Sequence, residues 1–147
     1  MEHTLVMLKP ETVQRGICGT IIQRIENKGF KLIAMKMMIM EEALARQHYA
    51  EHEGQDFFEP IIEHMCSSPV IAMVWEGDGV IAAIRSMMGK TNPLEAGAGT
   101  IRGDFGANMS RNIIHGSDSV ASAIREINLF FTDRELLYYS RSLQNWM

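Results

Sequence analysis

Cysteine is scarce in this chain: Cys18 and Cys66 are the only two, and no C-x-x-C spacing relates them. That excludes a disulfide-stapled scaffold and a thiolate zinc module, and it predicts two reduced, buried thiols in a cytoplasmic protein. Long apolar runs are missing as well. No stretch nears the roughly 18 residues of a spanning helix, and Met1-Glu2-His3 opens straight into a short apolar segment rather than a signal peptide. No membrane partner is expected. The sequon Asn108-Met109-Ser110 carries no meaning without a secretory signal. Positive charge is in deficit, with 14 Lys and Arg against 18 Asp and Glu and a net charge of −4. General attraction to nucleic acid is therefore excluded, and any binding of phosphate must be local. An RNA-binding domain would also need an aromatic and basic strand motif, which is absent. Neither a Walker A nor a G-x-G-x-x-G pattern occurs, so phosphates are not held in either of those ways.

What remains is ordinary globular composition, 46% hydrophobic and 22% charged over 147 residues, without repeats or linkers. Residues 1–147 are read as a single domain. Thr4 to Leu8 is a strand-like run that ends at Lys9-Pro10. Ile17, Ile21, Ile22 and Ile25 recur at helical spacing up to Lys28-Gly29, a favoured helix terminus. Phe30 to Met40 reads as a strand, and its methionines Met35, Met37, Met38 and Met40 as core filling. Glu41 to His52 and Pro60 to Met65 read as helices, Val70 to Trp75 as a buried strand, and Ile81, Ile84 and Met88 as one side of a further helix. Lys90 to Ile113 lacks regular pattern. Asp118 or Ser119 then caps a helix through Phe131 with Val120, Ile124, Ile127 and Phe131 on its apolar stripe. Asp133 to Tyr139 reads as a last short helix. This order predicts an α+β domain on a four-stranded sheet, for which a ferredoxin-like arrangement is one of few solutions.

The segment Asn112-Ile113-Ile114-His115-Gly116-Ser117-Asp118 is the most informative. Its imidazole has small neighbours and lies where a long loop meets a helix start. Long patternless loops in compact domains are usually functional or disordered. Glu126, about three helical turns on, can orient the imidazole through one nitrogen and leave the other free. Lys9, Arg85, Arg102 and Thr91 supply what phosphoryl transfer requires: cations over developing charge and a hydroxyl beside the phosphates. Gly97, Gly99 and Gly103 permit close backbone approach. A rival motif, His48-Tyr49-Ala50-Glu51-His52, fits the inverted zinc-peptidase pattern. With no third ligand downstream, an exposed helix face is the better reading.

On these residues the chain resembles a nucleoside diphosphate kinase along essentially its whole length. The matching stretches are Thr4 to Pro10, Arg15-Gly16, Tyr49 with Phe57-Phe58, Thr91-Asn92-Pro93, Ile101 to Phe105, Asn112 to Asp118 and Arg125-Glu126-Ile127. N-x-x-H-G-S-D is the most specific of them. The resemblance implies a ferredoxin-like α/β sandwich with a four-stranded antiparallel sheet and surface helices, assembled as a homo-oligomer, tetramer or hexamer. It implies that His115 is phosphorylated, that Glu126 holds its other nitrogen, and that Ser117 bonds Glu126. Lys9 and Asn112 would reach the ribose hydroxyls and the γ-phosphate, Arg85, Thr91 and Arg102 would hold phosphates, and Tyr49 would lie beside the histidine. Phe57 and Met109 would enclose the base. Mg²⁺ would ride on the nucleotide's phosphates, with no metal cage of protein ligands. A catalytically silent, nucleotide-binding or regulatory member is the alternative, and loss of the nucleophile or its supports would mark it. Ala98, Asp56 and Phe130 depart from common family residues, and none of them is a catalytic group.

Overall fold

The computed structural model describes residues 1–147. Four strands, β1 (Glu2–Leu8), β2 (Lys31–Met38), β3 (Val70–Gly77) and β4 (Ile114–Gly116), form one sheet in the order β2-β3-β1-β4, antiparallel throughout. The helices are α1 (Pro10–Gln14), α2 (Cys18–Asn27), α3 (Glu42–His48), α4 (Phe58–Cys66), α5 (Val80–Met88), α6 (Ile101–Phe105) and α7 (Val120–Phe130). None is long and apolar enough to cross a membrane.

Strand β1 explains the layering. Its side chains alternate between faces, yet Leu5, Val6, Met7 and Leu8 are all fully buried, because helices cover both sides of the sheet. Leu5 and Met7 pack with residues of α3, α4 and α7. Val6 and Leu8 pack with Trp75 and residues of α2, α5 and α6. Strand β4 is a short edge with β1 as its only neighbour, His115 opposite Met7 and Ile114 opposite Leu8. Ile114 therefore joins the α2/α5 core, and His115 faces the α3/α7 side.

Several details differ from the sequence reading, each for a local reason. Pro10 stops β1 but also starts α1, since its missing N–H costs nothing at a first helical position. Helix α3 ends at His48, and a separate 3₁₀ turn spans Ala50–His52. The stretch from Lys90 to Ile113 contains α6 and a 3₁₀ turn at Met109–Arg111, both too short to show periodicity. Thr100 caps α6 by accepting the Gly103 N–H. Between Asp133 and Tyr139 only one turn, Asp133–Glu135, is helical, and a further 3₁₀ turn spans Gln144–Trp146. Beyond Glu135, Leu137 donates its N–H to Ile33 O and Tyr139 its hydroxyl to Leu32 O, which holds the segment extended along β2. Met40 is buried, but Met35 and Met37 are 53% and 62% exposed on edge strand β2, so they do not fill the core. In α7, capped by Ser119, the buried stripe is Ala123, Glu126, Ile127 and Phe130, while Val120 and Ile124 face solvent. Cys18 and Cys66 are partly exposed free thiols rather than buried ones.

Candidate active site

The site is built around β4 and the turn that leads into it. His115 Nε2 lies 3.0 Å from Glu126 Oε1, which also accepts the Ser117 hydroxyl at 2.7 Å. Ser117 Oγ accepts the Leu5 N–H at 3.1 Å, tying this relay to the central strand. Burial works against the Glu126 carboxylate, but hydrogen bonds from His115 and Ser117 and the nearby imidazole charge outweigh it, so its pKa falls below the ordinary value. An ionised Glu126 accepts only, so the proton between the pair belongs to His115 Nε2. Nδ1 makes no hydrogen bond within the chain and carries the free lone pair.

The phosphate-binding candidates converge on the same cavity, of about 980 Å³. Lys9 Nζ donates to Asn112 Oδ1 at 2.5 Å, and Asn112 Nδ2 donates to Thr91 O at 3.2 Å. Burial lowers the Lys9 pKa to about 8; the Glu11 carboxylate opposes this and Arg102 adds to it. Arg102 is almost wholly buried and braces the site from behind. Its nitrogens donate to Asn112 O at 3.1 Å, Gly89 O at 3.2 Å and Ile114 O at 2.7 Å. One N–H on each terminal nitrogen remains for a ligand. Burial and the charge of Arg85 bring its pKa down to about 10, and it stays charged at neutral pH. Arg85 donates to Gly116 O at 3.3 Å and also lines the cavity. Tyr49 lines it too, with a buried hydroxyl that has no partner in the chain. At the mouth stand Phe57 and Met109, 49% and 55% exposed, as apolar surfaces awaiting a flat partner would be.

The structure also brings in residues that the sequence reading did not place here. His48 is buried edge-on against His115, with ring centroids 4.8 Å apart, and neither of its nitrogens has a partner. Burial and the positive potential of His115 lower its pKa to about 3, so it stays neutral. Its zinc-motif partner His52 belongs to the following 3₁₀ turn and packs edge-on against Phe57 at 5.1 Å. The two histidines do not form one exposed helix face. His48, His115 and Glu126 bring ligand atoms within 4.8 Å of one another, but the Glu126 oxygen is already taken by His115 and Ser117. Glu11, His64, Asp118 and Arg125 complete the surroundings. Spacing could not announce these contacts, which join residues far apart in the chain.

A histidine with one nitrogen tied to a buried carboxylate and the other unbonded, in a cavity also lined by Lys9, Arg85 and Arg102, is suited to accepting a phosphoryl group. Comparison with known proteins decides the kind of enzyme. The family model for nucleoside diphosphate kinase matches residues 2–136. The chain belongs to the nucleoside diphosphate kinase family. It is 57% identical over 147 residues to a nucleoside diphosphate kinase of Desulfitobacterium hafniense strain Y51, covering 100% of this chain and 99% of that one. A nucleoside diphosphate kinase of Listeria monocytogenes serotype 4a is 54% identical, with full coverage of both chains. Among solved structures, the halophilic nucleoside diphosphate kinase of Halobacterium salinarum in complex with CDP superposes with a TM-score of 0.97. It is 46% identical, covering 99% of this chain and 97% of that one. A family protein of Babesia bovis gives the same TM-score at 44% identity, with 99% of each chain covered. The chain is a nucleotide phosphotransferase, and members of this family generally use a divalent metal.

Proposed function

We propose that His115 Nδ1 carries the phosphoryl group between a nucleoside triphosphate and a nucleoside diphosphate. The observation behind this reading is the Ser117–Glu126–His115 relay, which fixes the tautomer that leaves Nδ1 free inside a cationic cavity. In the first half-reaction the Nδ1 lone pair attacks the γ-phosphorus. The bond to the β,γ-bridging oxygen breaks, and the diphosphate departs with that electron pair. Glu126 stabilises the cationic ring that forms. Lys9, Arg85 and Arg102 meet the developing phosphate charge, with Thr91 and the Tyr49 hydroxyl as further donors. In the second half-reaction a diphosphate oxygen attacks the same phosphorus and the N–P bond breaks. A phosphoramidate stays reactive where a serine ester would trap the group, which favours His115 over Ser117 as carrier. Lys9 and Asn112 are assigned to ribose and phosphate oxygens, Phe57 and Met109 to the two faces of the base.

Mg²⁺ fits this donor set as a passenger on the phosphates, where it supplies charge neutralisation. Of the three cavity carboxylates, Glu126 is engaged by His115 and Ser117 and Glu51 lies 3.5 Å from His52 Nε2, which leaves Asp118 with neither a hydrogen-bond nor an ion-pair partner in the chain. Residues 1–147 are read as one domain, acting in the cytoplasm as a homo-oligomer, tetramer or hexamer, without nucleic-acid or membrane partners. Exposed Met35 and Met37 on edge strand β2 support assembly. The catalytically silent reading has no support: His115, Glu126, Lys9, Arg85, Arg102 and Asn112 are all present.

Stacking without polar base contacts is tolerant, because every base has a π face. Initial rates with ATP as donor and ADP-free GDP, CDP, UDP or dTDP as acceptor should give parallel double-reciprocal lines and kcat/KM values within about ten-fold of one another. Intersecting lines, or use of a single base only, would count against the shared-site relay. The Lys9 shift sets the alkaline limit. The ammonium is charged below about pH 8 and neutral above it. kcat/KM, which reports groups of the free enzyme, should therefore fall as pH rises through about 8. Lys9→Arg, whose cation does not titrate in this range, should remove that limb while lowering the plateau.

A further inference from the structure

We propose that Glu11 and His64 form a clamp that holds Ile113 in a left-handed turn and so positions His115 for phosphoryl transfer. The proposal rests on the reading of His115 as the phosphorylated residue.

Ile113 has φ of +79°, the only non-glycine residue in the chain with positive φ. For a β-branched side chain this is a costly conformation, held only where the surroundings overdetermine it. Here they do. The Ile113 N–H donates to Glu11 Oε2 at 3.0 Å. Its carbonyl accepts the Lys9 N–H at 3.0 Å and the Thr12 hydroxyl at 2.6 Å. The side chain is fully buried, so the backbone groups have no water to turn to.

The other oxygen of Glu11 accepts His64 Nε2–H at 2.8 Å. The Glu11 side chain is only 7% exposed, and its two oxygens thus have one partner each. His64 belongs to α4, the helix that begins just after Phe57, and it borders the nucleotide cavity. One short helix is therefore placed to present the base platform at its start and to fix the nucleophile's turn near its end.

Position rather than mere stability is at stake because β4 is short: Arg102 braces it at Asn112 O and Ile114 O, but the backbone N–H and C=O of Ile113 itself are held only from Lys9, Glu11 and Thr12. The strand is three residues long, with β1 as its single neighbour in the sheet. Ile113 lies immediately before it, two residues from His115. Relaxation of φ at Ile113 would rotate the strand's entry and move Nδ1 off the line of attack, and misplacements of about an ångström are costly in rate. Neither Glu11 nor His64 hydrogen-bonds to the relay, so their hold on His115 passes through Ile113; the charge that Glu11 sets beside Lys9 is kept in Glu11→Asp and in both His64 variants.

The test compares His64→Phe, His64→Gln and Glu11→Asp with the parent in single-turnover phosphorylation by Mg·ATP, alongside ADP affinity and thermal midpoint. His64→Phe removes the donor. Glu11→Asp keeps the charge but shortens the reach by one methylene. Each should slow phosphorylation of His115 by about ten-fold at unchanged ADP affinity, well below the midpoint of unfolding. His64→Gln, which retains an N–H at similar reach, should recover most of the rate. A parent rate for folded His64→Phe or Glu11→Asp would overturn the clamp, as would His64→Gln as slow as His64→Phe, or a loss confined to affinity. If the parent itself takes no phosphate on His115, the reading beneath the clamp fails and the clamp with it.

Discussion

His115→Ala lowers phosphotransfer by at least about 10⁴-fold, the scale on which removal of a covalent nucleophile acts. That factor corresponds to roughly 5.5 kcal/mol of lost transition-state stabilisation. Neither neighbour can replace the imidazole. Ser117 Oγ is turned inward onto Glu126 and the Leu5 N–H, and His48 is walled in beside Phe130 and Tyr49. The fold survives the change. Glu126 keeps its Ser117 hydrogen bond, so the loss of one partly exposed partner costs about 1 kcal/mol. Steady-state assays give the activity, and circular dichroism with thermal melting gives the fold. Nucleotide affinity should persist, since Lys9, Arg85, Arg102 and Phe57 are untouched. Full turnover by the variant would remove the mechanism.

Arg102→Ala should be damaging on two counts. The guanidinium satisfies three carbonyls around the nucleophile's strand, those of Gly89, Asn112 and Ile114. Truncation takes the side-chain donor from Gly89 O and Ile114 O, leaves Asn112 O with only the Ile114 N–H, and opens a gap where an almost fully buried side chain stood. The expected loss of stability is roughly 3 kcal/mol, a fall of about 10 °C in Tm for a chain of this length. Activity should fall by on the order of 10³-fold, because a phosphate cation and the brace of β4 go together. Arg85→Ala is the control. Arg85 makes one longer bond, to Gly116 O at 3.3 Å, so its loss should depress activity with little change in Tm. Equal melting shifts in the two variants would contradict the structural role given to Arg102.

The difference between these two arginines was not visible in the sequence, where both read simply as phosphate ligands. More generally, residues that stand out by chemical type were legible as a group that the structure gathers in one cavity: His115 in N-x-x-H-G-S-D, Glu126 on the following helix, and the cations Lys9, Arg85 and Arg102. The helices with a buried stripe and the continuous apolar strand around Val74 were legible for the same reason, since burial writes a period into the chain. Roles set by long-range geometry were not. His48 belonged to a tempting zinc pattern until α3 ended beneath it and turned it onto His115. Glu11 and His64 meet only because α1 and α4 pack beside the same turn. Met35 and Met37 had the composition of a core strand, but β2 lies at the sheet's edge, and strand order is not written in periodicity. The short α1 and α6 fall below the length at which a helical period can be read.

The central claim is a phosphoryl group resting on His115 between two nucleotides. The most direct measurement is intact-protein mass after brief incubation with Mg·ATP, followed by a chase with GDP. The account predicts a gain of a single acid-labile phosphoryl group, absent in His115→Ala, that disappears on adding GDP as an equal amount of GTP forms. GTP formation without any adduct on the protein, or an adduct that GDP cannot discharge, would contradict it.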